Sequence, residues 1–202
     1  MERLNLGILI SGRGSNMQAL VDACEQPGFP ARVALVVSNR PDAPGLDIAA
    51  AHGIATKTVD HKSYPDKAAF EQALDEALRS CDIDLICLAG FMRILSADFI
   101  ARWPDRIINI HPSLLPAYKG LDTHERAIAA GETQSGCSVH VVTPGMDEGP
   151  VILQKTVPVL SDDTPDTLAA RVLEQEHVAY PEAVRLIGEG GVRIVDGAVE
   201  IR

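Results

Sequence analysis

The sequence predicts an α/β fold: an open, mostly parallel sheet with helices on both faces and an antiparallel strand pair on its C-terminal side. Two observations point there. From Leu6 to about Val142, apolar strand-length runs alternate with helix-like segments, the pattern of successive β–α units in a Rossmann-like sheet. The chain has 202 residues and 46% hydrophobic content, enough for one α/β domain with a full core spanning residues 1–202.

In chain order, Leu6–Ile10 reads as the first buried strand and Ser15–Glu25 as the helix after it. Val33–Ser38, Leu85–Ala89 and Ile107–Ile110 read as further buried strands, with helices over Gly45–His52 and Tyr64–Arg79 between them. Ser138–Val142 and Val151–Val159 flank a Pro/Gly-rich turn and read as an antiparallel pair. Thr164-Pro165-Asp166-Thr167 has a capping residue before a proline at the first helical position. It should open a long helix that continues past Glu176 and kinks or breaks at Pro181. Val192–Val195 and Val199–Ile201 enclose Asp196-Gly197, a hairpin signal.

Composition narrows the functional classes. A net charge of −10 argues against nucleic acid as a partner, because phosphate backbones are held by basic surfaces. A small anionic ligand is compatible with it, needing only a local nest of N–H groups. No apolar run reaches membrane-span length. Met1-Glu2-Arg3-Leu4-Asn5 lacks the features of a leader and passes straight into strand, so no signal peptide and a cytoplasmic location are expected. Cys24, Cys87, Cys81 and Cys137 have no CxxC spacing and read as reduced thiols.

Two segments carry candidate chemistry. Ser11-Gly12-Arg13-Gly14-Ser15-Asn16 follows a strand and opens a helix, where glycine lets the backbone approach an anion and the helix N-terminus offers free N–H groups. It is no P-loop, since no Gly-Lys-Ser/Thr ends it. A dinucleotide fingerprint fits poorly, because Met17 stands at the third glycine position and Ser38-Asn39-Arg40 holds no acid for a ribose. A single phosphate suits the loop better; a tight turn without ligand is the plainer alternative. The second segment is Asn109-Ile110-His111-Pro112-Ser113-Leu114-Leu115-Pro116, with Asp147 in Thr143-Pro144-Gly145-Met146-Asp147-Glu148-Gly149-Pro150. Each of Asn109, His111 and Asp147 alone has a structural explanation at a strand end or turn. Together at strand C-termini they offer an amide donor, a proton-transferring imidazole and an orienting carboxylate, as acyl chemistry through an oxyanion needs. No G-x-S-x-G elbow accompanies Ser113 or Cys137, so an acyl-enzyme is not expected. His111, His124, His140 and Asp147 have no zinc spacing, so no metal is expected.

The run NIHPSLLP resembles the signature of the phosphoribosylglycinamide formyltransferase family, which uses 10-formyltetrahydrofolate. Ile10-Ser11-Gly12-Arg13-Gly14-Ser15-Asn16, Leu88-Ala89-Gly90-Phe91-Met92-Arg93-Ile94-Leu95 and Gly149-Pro150-Val151-Ile152-Leu153-Gln154 agree in order and spacing, so the resemblance covers Leu6 to about Ile187. It implies a direct formyl transfer from 10-formyltetrahydrofolate, as cosubstrate, to glycinamide ribonucleotide, with Asn109, His111 and Asp147 as the catalytic group. It also implies glycinamide ribonucleotide contacts from Gly14, Ser15, Asn16, Leu173 and Glu176. A folate site would comprise Lys67, Met92, Arg93, Ile94, Leu95, Asn109, Thr143, Pro144, Gly145, Met146 and Asp147, with Arg93 meeting the glutamate tail. Lys67 stands where members often have arginine, and His140 takes no essential role. The small molecules are the expected partners, with the chain a monomer or homodimer and no membrane or nucleic acid involved. Formyltetrahydrofolate deformylase is the nearest rival. It adds an N-terminal regulatory domain for which this chain, starting at its first strand, leaves no room. Methionyl-tRNA formyltransferase adds a C-terminal domain and basic surfaces, and a non-catalytic folate- or nucleotide-binding module would not need the triad.

Overall fold

The computed structural model describes residues 3–201; Met1 and Glu2, part of the segment read as lacking a leader, lie outside it. Its elements run β1 (Leu4–Ile10), α1 (Ser15–Glu25), β2 (Ala31–Ser38), α2 (Pro44–Ala51), β3 (Thr56–Thr58), α3 (Lys67–Arg79), β4 (Leu85–Leu88), α4 (Ala97–Arg102), β5 (Ile107–His111), α5 (Thr123–Ala129), β6 (Gln134–Val141), β7 (Val151–Pro158), α6 (Pro165–Gly188), β8 (Val192–Val195) and β9 (Ala198–Ile201). The main sheet is ordered β3-β2-β1-β4-β5-β6-β7, and β8-β9 form a separate hairpin. β1 through β5 pair in parallel. β6 is antiparallel to β5, and β7 to β6. The expected mostly parallel sheet with an antiparallel pair is therefore present.

Strand periodicity divides the core. Leu6, Ile8 and Ile10 of β1, Leu85 and Cys87 of β4, and Ile108 and Ile110 of β5 face one layer with residues of α1 and α6. Leu9, Ile86, Leu88 and Ile107 face the other, with Phe70, Leu74 and Leu78 of α3 and Phe99 of α4. Successive side chains of a strand point to opposite faces, so runs with apolar residues at both parities can be covered on both sides. Gly7 permits the close seat of α3: a Cβ there would lie 2.7 Å from Leu78.

Three sequence expectations change. α3 starts at Lys67 rather than Tyr64, because the Asp66 carboxylate accepts from the Ala69 N–H at 2.8 Å and caps the helix. β6 begins at Gln134, well before Ser138, where Gly136 lies so close to β7 that a Cβ would strike the Lys155 carbonyl. α6 continues through Pro181 without a break. Packing on both sides of the proline holds it: Tyr180, Ala183 and Val184 are fully buried, and the Tyr180 hydroxyl donates to the carbonyls of Leu88 and Ile108. Such tertiary contacts can outweigh the cost of one missing helical hydrogen bond.

The strand order reverses between β1 and β4, which lead to opposite halves of the sheet. A crevice at the strand C-terminal ends is expected at such a switch point. The glycine loop leaves β1 there, and the Gly90–Leu95 segment leaves β4 directly beside it. No helix among the described residues is long and apolar enough to cross a membrane.

Candidate active site

Asn109 and His111 end β5, pointing from alternate positions beside the antiparallel β6, whose His140 is paired in register with Asn109. Asp147 arrives from the loop between β6 and β7 with φ 52. This left-handed conformation is disfavoured for a side chain and is held by its surroundings. The Asp147 Oδ2 lies 3.4 Å from His111 Nδ1 and accepts from the Gly120 N–H at 2.9 Å. Its Oδ1 lies 3.6 Å from His140 Nε2. Of the three residues expected from sequence to act together, Asp147 lies beside His111 and is linked to Asn109 through His140.

His140, expected from the resemblance to take no essential role, lies between them. It is 2% exposed, and its Nδ1 lies 2.9 Å from the Val141 carbonyl. A carbonyl only accepts, so Nδ1 carries the proton of that bond. The Asn109 amide nitrogen lies 3.2 Å from the His140 Nε2. His140 thereby orients Asn109. A histidine inside an apolar strand gives no local sign of this; cross-strand register places it. The same carbonyl argument makes His111 Nε2 a donor to the Tyr118 carbonyl at 3.0 Å. A protonated His111 would satisfy both Tyr118 and Asp147.

Burial pushes the Asp147 carboxyl up, but His140, the Gly120 N–H and the charge of His111 outweigh it, and the net displacement is below the usual carboxylate value. Burial and His111 push His124 on α5 down, favouring its neutral form. The loop after His111 is fastened by buried polar groups. Ser138 Oγ donates to the Ser113 carbonyl at 2.6 Å and accepts from Leu115 N–H at 3.0 Å. Gln154 reaches both the Leu115 carbonyl and Ser138 Oγ at 2.9 Å. Much of the NIHPSLLP run, with its Gln154 partner, thus builds the frame around Asn109 and His111.

At the glycine loop, Gly14 precedes α1 with φ 76, and no side chain caps the helix. The free N–H groups of the first turn are left for an anion. A Cβ on Gly14 would lie 3.0 Å from both Gly45 and Met17. Ser15 is exposed beside it. Asn16, 160 residues away in sequence, donates to Glu176 at 2.6 Å, and Leu173 lies one turn earlier on α6. Asn16 and Glu176, both expected at the glycinamide ribonucleotide site, are therefore in contact. The Asn16 amide oxygen, Oδ1, is buried without a partner. Burial raises the Glu176 carboxyl, with the Asn16 amide opposing in part.

The expected folate segment is divided. Met92 and Ile94 are 70% and 65% exposed, and Arg93 is exposed, whereas the Leu95 side chain is 5% exposed and packs in the core beneath α3 and α4. Leu95 can meet a ligand only through its backbone. Ser96, which caps α4, gives its N–H to the buried Glu71 carboxylate at 2.7 Å and its hydroxyl to the same group. Lys67 lies 3.9 Å from Glu71, so the lysine and the segment share one anchor on α3. Across the cleft, Thr143 and Gly145 are half-buried and Pro144 and Met146 exposed, with Met146 facing Gly120. A hollow of about 590 Å³ runs between α1 and α6 and includes Ser15, and another of about 690 Å³ lies at the N-terminal ends of β1 and β2.

The fold is that of an α/β enzyme with an amide, imidazoles and a carboxylate gathered at the strand C-terminal ends. The chain belongs to the formyl transferase family, whose model matches residues 4–184. It is 43% identical to phosphoribosylglycinamide formyltransferase of Escherichia coli strain K12, over 96% of this chain and 92% of that protein. It is 46% identical to the trifunctional purine biosynthetic protein adenosine-3 of Bos taurus over 96% of this chain, which spans only 19% of that relative's length. The crystal structure of glycinamide ribonucleotide transformylase 1 from Symbiobacterium toebii superposes with a TM-score of 0.94 at 47% identity, covering 98% of this chain and 94% of that one.

A Glu176→Gln substitution tests the α6 side of the site. The folded carboxyl titrates above its unfolded value, so ionising it opposes folding once pH exceeds the unfolded value; below that range the carboxyl is protonated in both states and the effect vanishes. The glutamine keeps an acceptor for Asn16 without the buried charge. We expect unchanged or higher thermal stability at pH 8 and weaker binding of the phosphorylated amine. Melting curves and calorimetry read the two effects; a lower melting temperature with unaltered binding would contradict both.

Proposed function

We propose that the chain transfers the formyl group of 10-formyltetrahydrofolate to the amine of 5′-phosphoribosylglycinamide, a step of purine synthesis. The observation that carries this reading is the meeting of Asn109, His111 and Asp147 at 3.4 Å or within one intervening imidazole, beside a glycine loop suited to one phosphate. The family and the names of the relatives support it.

The glycine loop and α1 hold the phosphate, and Glu176 and Asn16 face the glycinamide portion. The segment from Met92 to Leu95 and the Thr143–Asp147 loop hold the folate, with Arg93 and Lys67 towards its carboxylates. The amine nitrogen attacks the formyl carbon, and negative charge gathers on the formyl oxygen. Asn109 donates its free amide N–H to that oxygen. His111 donates Nε2–H, for which the Tyr118 carbonyl must give way. A preorganised donor of this kind contributes roughly 3–4 kcal/mol to the transition state. Asp147 favours the imidazolium of His111 and relays the amine proton through water to folate N10. The new C–N bond then stays as the C–N10 bond breaks, releasing formylglycinamide ribonucleotide and tetrahydrofolate. No acyl-enzyme forms.

Purified protein with both substrates should yield the two products in equal amounts. Without the amine, formate release should be very slow, since no oriented nucleophile occupies the attack position. Rapid formate release without glycinamide ribonucleotide would replace this reading with a deformylase.

A further inference from the structure

The sequence places no acid at Asn39, where a dinucleotide site would have one, and the structure shows a different use for that residue. Asn39 is 3% exposed at the end of β2. Its Oδ1 accepts from the hydroxyl of Ser11 at 2.5 Å. Ser11, 5% exposed at the end of β1, in turn accepts from the Met92 N–H at 2.8 Å. On the other side, the Asn39 amide nitrogen lies 3.2 Å from His61 Nδ1, just beyond β3. Hydrogen bonds thus lace together the ends of four adjacent strands, β3, β2, β1 and β4, across the switch point of the sheet.

Ser11 stands where this row meets both ligand regions. Its backbone begins the glycine loop, and its side chain fixes the first residue of the exposed Met92–Leu95 segment. The far end of that segment is fixed separately, by Ser96 on Glu71. Between Ala89, whose N–H still bonds the Leu9 carbonyl, and Ser96, the Ser11 hydroxyl is the side-chain tether recorded for a backbone N–H of the segment. A buried hydroxyl that gives and accepts one hydrogen bond each has a single orientation. The glycine-loop backbone and the Met92 N–H are therefore joined through one fixed side chain, so that a shift of either is transmitted to the other.

We propose that Ser11 is a positioning residue that couples the two substrate sites: occupation of the glycine loop by the phosphorylated amine sets the folate wall through the Ser11 hydroxyl, and folate binding acts back on the loop by the same route. Linkage makes the coupling reciprocal. The inference rests on the ligand assignment proposed above.

Calorimetry with glycinamide ribonucleotide and tetrahydrofolate tests it, because this pair has no formyl group to transfer. In the wild-type protein, saturating glycinamide ribonucleotide should tighten tetrahydrofolate binding by about fivefold or more. Ser11→Ala leaves the Met92 N–H without its partner and should weaken tetrahydrofolate about tenfold. It should keep glycinamide ribonucleotide alone within about twofold and abolish the coupling, a pattern that general loosening of the fold would not give. Should that variant not fold, Asn39→Ala removes the acceptor that orients the hydroxyl and should reduce the coupling in the same way. Absent coupling in the wild type, intact coupling in the variant that folds, or an equal loss for both ligands would each overturn the proposal while leaving the ligand assignment standing. Wild-type protein that binds neither ligand would overturn that assignment first, and this inference with it.

Discussion

Asp147→Asn should lower turnover by roughly 10²–10³-fold or more, with the fold and the affinity for glycinamide ribonucleotide nearly unchanged. The substitution preserves shape at a position where the carboxylate accepts from the Gly120 N–H and faces two imidazoles, His111 and His140. An amide can still accept from Gly120 through its oxygen. It carries no charge to favour the His111 imidazolium and cannot relay a proton. The pH dependence has a definite sign. The folded Asp147 carboxyl titrates below its ordinary value. Its ionised form thus contributes stability above the unfolded carboxylate value, lost as pH falls through the lower folded value. The variant should lack that part of the acid transition. Steady-state kinetics and pH-dependent melting provide the readout; turnover within a few-fold of wild type would remove Asp147 from the mechanism.

Gly149→Ala should damage both stability and activity, although alanine adds one methyl group. Gly149 is buried two residues after Asp147, and a Cβ there would lie 1.8 Å from the Val141 carbonyl oxygen. The obstacle is backbone, fixed by the Val141 N–H bond to the Pro150 carbonyl at 3.0 Å. The loop must move, carrying Asp147 away from His111. Overpacking of this kind costs about 3 kcal/mol or more, which for a chain of this size lowers the melting temperature by roughly 6–12 °C. Turnover should fall with it. Gly12→Ala makes the control for stability, since a Cβ at Gly12 would meet nothing within 4 Å. Equal melting temperatures for the two variants would show that the turn has slack the geometry does not indicate.

These two residues show how the site divides between local and distant determinants. Asn109, His111 and Asp147 were legible because strand-like runs end on them and the NIHPSLLP context is specific. Their separation in space follows from β5 pairing with β6. His140 carried no expected role, since one histidine in an apolar run looks like any other polar interruption; its place opposite Asn109 comes from strand register. Glu71 was likewise hidden. An acid on a helix reads as a solvated face, and only the packing of α3 against the Ser96 turn buries it to 2% exposure. Short elements escaped for a related reason. β3 has three residues, all exposed, and α4 has six. Neither carries enough periodicity to announce itself, and neighbouring elements hold both in place.

By itself, the sequence determined the alternating strand and helix plan, because apolar periodicity and caps act over a few residues and are written where they act. It also carried the glycine loop, the candidate trio Asn109, His111 and Asp147, and the family resemblance. Only the tertiary structure decided the unbroken passage of α6 through Pro181, the burial of Leu95, the contact of Asn16 with Glu176 and the row from His61 to Met92. Each depends on groups brought together across strand order or helix packing. Their energies come from desolvation and hydrogen-bond geometry between distant residues, and no local stretch of chain encodes those distances.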